Sequence, residues 1–200
     1  MLVNSKILLK KAQEGHYAIP SANVIDMESI KNQIQLAEKL GLPLIAAVAE
    51  SHLGSSISLE DAALVGRKYA AEASVPVVLH LDHGQSFETC KRAIDLGFTS
   101  VMIDASMKSF EENVETTRKV VEYAHARGVT VEAEIGHVAS NFDENDQEAL
   151  YTTAEEASAF AEQSGCDSLA ISIGTAHGVY KAKAIPEISF DSLAEIRQAT

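Results

Sequence analysis

The stretch PVVLHLDHGQSFETC, residues 76–90, ends an apolar run of Val and Leu with His80, Asp82 and His83. Ionisable groups at the end of a buried strand are costly unless they are paired or bound to a metal. Neutral imidazole is the commonest protein ligand for zinc, and a catalytic zinc takes three protein ligands and keeps one position open. His83 is one candidate ligand, and His177, in the later segment SIGTAHGVYK, is another. The competing reading of both is a surface loop histidine. Asp82, beside a candidate ligand, suits a general acid/base whose pKa is tuned by a neighbouring cation, or it is simply a helix N-cap. His80 sits one strand period before Asp82 and reads as a satisfied core histidine or as a partner behind the site.

Two further groups carry chemistry. In TVEAEIGHV, Glu132 and Glu134 share a strand face by period two, and with Asp104 they form a candidate second, carboxylate-rich cation site. In SIGTAHGVYK, Gly174 and Gly178 permit close backbone approach, and Lys181 adds a cation, a combination suited to phosphate in an otherwise acidic chain. Glu50 and the run NFDEND read as solvated, and His16, His52, His125 and His137 as structural or exposed.

The elements that must position these residues follow a strict rhythm. Strand-like runs fall at 17–24, 43–49, 76–81, 100–103, 130–135 and 168–173. Helical patterns fall between them, at 26–40, 59–73, 87–96, 110–127 and 154–164, with one more before the first strand (5–14, closed by Gly15) and one after the last (191–199). Capping-box patterns open two helices, at Ser109–Glu112 and Thr153–Glu156, and glycines follow others at 41, 97, 128 and 165. Such alternation predicts a parallel sheet covered by helices. An open dinucleotide-binding sheet would carry GxGxxG after its first strand, and this chain does not. A (β/α)₈ barrel instead places polar residues at the ends of many strands, as happens at Asn23, Glu50 and Ser51, Asp82 and His83, Asp104, Glu132 and Glu134, and His177. The expected fold is therefore a TIM-type (β/α)₈ barrel with about six of its eight βα units present, as one domain over 1–200 that is incomplete at the C-terminus. No lysine falls in a predicted strand, so a Schiff-base route has no obvious nucleophile.

Composition narrows the partners. The 200 residues are 46% hydrophobic and 22% charged, ordinary for a globular domain. A net charge of −13 argues against nucleic acid and anionic membranes, which need a basic face. The N-terminus reads as a helix rather than a signal peptide, and no apolar run is long enough to span a bilayer. Two cysteines without a CxxC pair suit a reducing compartment, so the cytoplasm is expected.

The blocks LHLDHGQSFETCKRAIDLGFTSVMIDAS, VEAEIG and SLAISIGTAHGVYK, in this order, resemble the class II, metal-dependent fructose-bisphosphate and tagatose-bisphosphate aldolase family. The similarity runs from the N-terminal helix to Thr200. It implies a (β/α)₈ barrel, a homodimer or homotetramer, that cleaves a ketose 1,6-bisphosphate reversibly to dihydroxyacetone phosphate and glyceraldehyde 3-phosphate. By motif match it implies Asp82 as catalytic acid/base, His83 and His177 as two of three ligands to a catalytic Zn²⁺, and Asp104 and Glu134 at a second cation, divalent or monovalent. Gly178 and Lys181 match positions that hold the dihydroxyacetone phosphate moiety, and Asn23 and Ser51 match substrate-proximal positions. Two departures stand out. After EIG the family has Gly-Gly and acidic residues, whereas this chain reads HVASNFDEND, with Ala139, Ser140 and Phe142 in those places. The chain also ends before the seventh strand, where the family's third histidine would lie. The expectation therefore divides between an aldolase recorded as an incomplete chain and a non-catalytic partial barrel with a binding or assembly role.

Overall fold

A computed structural model of the protein describes residues 1–136, 151–175 and 187–200. His177, Gly178 and Lys181, and the departure at Ala139, Ser140 and Phe142, lie outside these residues. Helices and strands alternate: α1 (Ser5–Gly15), β1 (Ser21–Asn23), α2 (Met27–Leu40), β2 (Leu44–Ala49), α3 (Leu59–Glu72), β3 (Val77–Gly84), α4 (Phe87–Leu96), β4 (Ser100–Ile103), α5 (Phe110–His125), β5 (Thr130–Ile135), α6 (Ala154–Ser164), β6 (Ser168–Ile171) and α7 (Phe190–Ala199). A short 3₁₀ turn, Glu50–His52, follows β2. The strands are hydrogen-bonded in chain order, β1 to β6, in one sheet. Packing gathers Met1–Ile103 with Lys119–Glu132 into one compact unit, and Asp104–Arg118 with Ala133–Thr200 into a second.

In the first unit, β1 to β4 are parallel neighbours. β2 and the first part of β3 are apolar and buried throughout, as strands covered on both faces must be. Strand alternation gives the two faces different partners. Val48, Val77, Leu79 and Leu81 join Ile30 and Ile34 of α2 and Ala62 of α3 in one core. Ile45 and Val78, directly paired across β2 and β3, pack instead with Leu8 of α1. His80 and Asp82 follow Val78 at two-residue steps, so α1 covers the start of the strand face whose far end carries the polar residues. Ser5 fastens α1 there, its hydroxyl 2.8 Å from that of Thr130 in β5. The second unit has its own core of Val114, Ala133, Ile135, Ala157, Phe160 and Ile196, with Phe110 set edge-on to Phe160 at 5.8 Å.

The punctuation holds at most helix ends. Thr153 and Glu156 form a reciprocal capping box, Ser109 and Glu112 exchange the same bonds, and Gly41, Gly97 and Gly165 cap helices in the left-handed region. At α1 the left-handed residue is His16 rather than Gly15. The first strand is shorter than the expected 17–24, because Tyr17 N–H is bonded back to Ala12 C=O at the end of α1. β3 is longer than expected, running through Asp82 and His83 to Gly84.

That extension contains an irregularity. Leu81 pairs with Val101 and Gly84 with Ile103, so β3 takes three steps where β4 takes two. The extra residue is a β-bulge, a device that bends a strand and re-aims its side chains. Gly84 closes it by close approach: a Cβ there would lie 2.7 Å from the Met102 carbonyl oxygen and 2.8 Å from the Cys90 sulfur. The first neighbour is backbone and cannot rotate away. Gly84→Ala is expected to destabilise the fold by about 1–3 kcal/mol, the usual cost of overpacking, read as a lowered urea midpoint with unchanged slope.

Candidate active site

The bulge decides how Asp82 and His83 are presented. In a regular strand, adjacent residues point to opposite faces. Here His83 has φ 50°, a left-handed conformation that costs a non-glycine residue about 1–2 kcal/mol. Its Nε2 lies 4.0 Å from Asp82 Oδ1, so the two side chains share one side. Both are partly accessible, at 31% for His83 and 21% for Asp82, as groups that meet a ligand must be. The helix-cap reading of Asp82 does not hold, since Ser86 caps α4 by accepting from Thr89 N–H.

His80 lies behind them. Only 3% of it is exposed, and its Nδ1 is 2.9 Å from the hydroxyl of Ser100, its register partner on β4. Its Nε2 faces Glu132 of β5 at 3.8 Å. Burial holds the imidazole down at about 4 against an ordinary 6.5, with Asp82 pulling upward and His83 pushing further down. His80 is thus a neutral core histidine with polar partners, one of the two alternatives its sequence position allows. Between pH 6.5 and 4 the unfolded chain binds a proton here that the folded chain does not, so stability rises with pH across that window and is fully present above it. The effect is at most about 1.4 kcal/mol per pH unit. Urea midpoints at pH 7 and 5.5 are expected to differ more in the native protein than in His80→Gln; an equal difference removes His80 as the cause.

Asn23 ends β1, where its carbonyl oxygen accepts from the Gln33 side chain at 3.2 Å. Ser51 lies exposed in the 3₁₀ turn after β2. In the second unit, Asp104 directly follows β4, and its Oδ1 accepts from the Ser106 hydroxyl at 2.7 Å and its N–H at 3.2 Å. Glu134 of β5 is 2% exposed, and its backbone carbonyl oxygen accepts from the Asn113 side chain at 2.8 Å.

One carboxylate beside these strand ends has partners that its sequence position does not reveal. Glu50 is not a solvated surface acid: one oxygen accepts from Gln85 N–H at 2.6 Å and the other from the Thr89 hydroxyl at 3.0 Å, across the start of α4. It also adds to the burial that pushes the Cys90 thiol up to about 12. Two signals were available: an acid directly after a buried strand, and a helix N-terminus nearby that favours negative charge.

Comparison with known proteins gives these strand ends a context. The profile of the family described as "Fructose-bisphosphate aldolase class-II" matches residues 3–200. A fructose-bisphosphate aldolase of Thermus caldophilus is 43% identical over 202 residues, covering 98% of this chain and 65% of its own length. One from Staphylococcus aureus is 40% identical, covering 100% of this chain and 70% of its own length. The crystal structure of the YdjI aldolase from Escherichia coli K12 superposes with a TM-score of 0.87 at 35% identity, over 100% of this chain and 70% of that one. The chain therefore spans about two thirds of the length of these relatives.

Proposed function

This chain belongs to the class II fructose-bisphosphate aldolase family, and from that premise we propose that it carries the acid/base and much of the cation site of an enzyme that reversibly cleaves a ketose 1,6-bisphosphate. The products are dihydroxyacetone phosphate and glyceraldehyde 3-phosphate. The observation that carries this reading is the bulge that turns Asp82 and His83 to one side at the end of β3.

The residues fit a divalent cation. His83 of the first unit offers an imidazole nitrogen, and Asp104 and Glu134 of the second offer carboxylate oxygens, and these donor types are ones that zinc accepts. His83 and His177 are the ligands proposed for the catalytic zinc, and Asp104 and Glu134 the carboxylates proposed for a second cation. A bound zinc supplies a Lewis acid that polarises the ketone carbonyl. Asp82 takes the proton of the C4 hydroxyl as the C3–C4 bond breaks, and returns it in the condensation direction. Its carboxylate is suited to this by partial exposure and by its neighbour His83. Gly178 and Lys181 hold the phosphate of the dihydroxyacetone moiety by backbone approach and charge, and Asn23 and Ser51 contact the sugar from the ends of β1 and β2. None of the six described strands contains a lysine, which disfavours a Schiff base.

The strand order supports reading these as six units of a (β/α)₈ barrel. We propose a cytoplasmic homodimer or homotetramer; among the described residues no helix is long and apolar enough to cross a membrane. The test is a cleavage assay on purified protein of verified mass, with fructose and tagatose 1,6-bisphosphates. Turnover is expected to be lost with a chelator, regained with zinc, and unaffected by borohydride. Covalent trapping of substrate by borohydride would overturn the metal route, and tight bisphosphate binding without turnover would favour a non-catalytic role.

A further inference from the structure

We propose that Glu50 is a positioning residue that locks the β3 bulge and so sets the presentation of Asp82 and His83; the inference rests on the proposed role of those two residues. Ala49, the last residue of β2, is the register partner of Asp82, and Glu50 follows it directly, opening the 3₁₀ turn. From there its carboxylate takes the Gln85 N–H at 2.6 Å and the Thr89 hydroxyl at 3.0 Å. Gln85 passes the constraint on: its side-chain Nε2 donates to the His83 carbonyl oxygen at 3.1 Å. His83 is therefore held in its left-handed conformation from the Gln85 side by the Glu50 clamp. Between His83 and Gln85, Gly84 runs so close to the Met102 carbonyl oxygen that a Cβ there would lie 2.7 Å from it. A non-glycine residue stays in that conformation only where its surroundings over-determine it, and such strain is concentrated at functional sites. Glu50 acts through the backbone that carries His83.

The alternative is that Glu50 only favours the start of α4, adding charge at its N-terminus. The two differ at His83. Labelled protein is examined by NMR for the His83 Cα shift and HN–Hα coupling, which report its backbone conformation, and for Gln85 amide exchange. Zinc affinity is measured by competition with a chromophoric chelator. Glu50→Ala is expected to speed Gln85 exchange, to move the His83 signals away from left-handed values, and to weaken zinc by about 10–100-fold, the range for outer partners of a metal ligand. Glu50→Gln should keep native signals and affinity, because its amide oxygen still accepts from Gln85 and its NH₂ can donate to Thr89. Glu50→Asp keeps the charge but withdraws it by one methylene, and should behave like the alanine variant if that variant does not fold. Native His83 signals in Glu50→Ala, or in Glu50→Asp where the alanine variant does not fold, would overturn the inference whatever happens at α4. A native protein that binds no zinc would defeat the cation-site reading instead, while the His83 signals still decide the role of Glu50.

Discussion

Asp82→Asn is expected to slow ketose bisphosphate cleavage by about 10²- to 10⁴-fold, the usual contribution of a general acid/base, with zinc affinity unchanged. The substitution keeps the size of the side chain and one acceptor oxygen but replaces the other oxygen with an NH₂ donor, and so removes the ability to accept a proton at neutral pH. Asp82 neither caps α4 nor lies in the apolar core, so the fold has little reason to respond. Its oxygen stands 4.0 Å from His83 Nε2, too far for a hydrogen bond, and the imidazole keeps its place without it. Steady-state cleavage rates and zinc titration on the same preparation check both halves. Near-native turnover would remove Asp82 from the chemistry, and a parallel loss of zinc would make it a ligand or a ligand's support.

The second large effect is expected at His83. His83→Asn should weaken zinc by more than about 100-fold, beyond the range seen for outer partners, and abolish cleavage with it. Asparagine is the informative replacement because it tolerates the left-handed backbone that residue 83 adopts at φ 50°. Alanine would mix the loss of a ligand with a change in backbone preference. A folded His83→Asn protein with native zinc affinity would show that the cation is held without this imidazole.

Much of this molecule is legible in the amino-acid sequence, because the relevant signals are local. Buried parallel strands need unbroken apolar runs, and helices need caps, so LIAAVA, VVLHL and the pairs Ser109–Glu112 and Thr153–Glu156 announce their elements where the structure has them. The concentration of His, Asp and Glu at strand ends likewise marks where chemistry belongs, since unpartnered ionisable groups are not buried idly. Boundaries were less legible where a tertiary contact or a neighbouring cap decides them, as at the shortened β1 beside the end of α1.

The amino-acid sequence by itself determined the alternating α/β fold class and the residue types of the candidate site. It could not determine that Asp82 and His83 face the same way. Period-two alternation predicts opposite faces, and only the pairing of β3 with β4 shows the extra residue that cancels it. Nor could it tell Glu50 from a surface acid. A carboxylate's role depends on which donors the fold brings within about 3 Å, and here those donors, Gln85 and Thr89, come from 35 and 39 residues further along the chain.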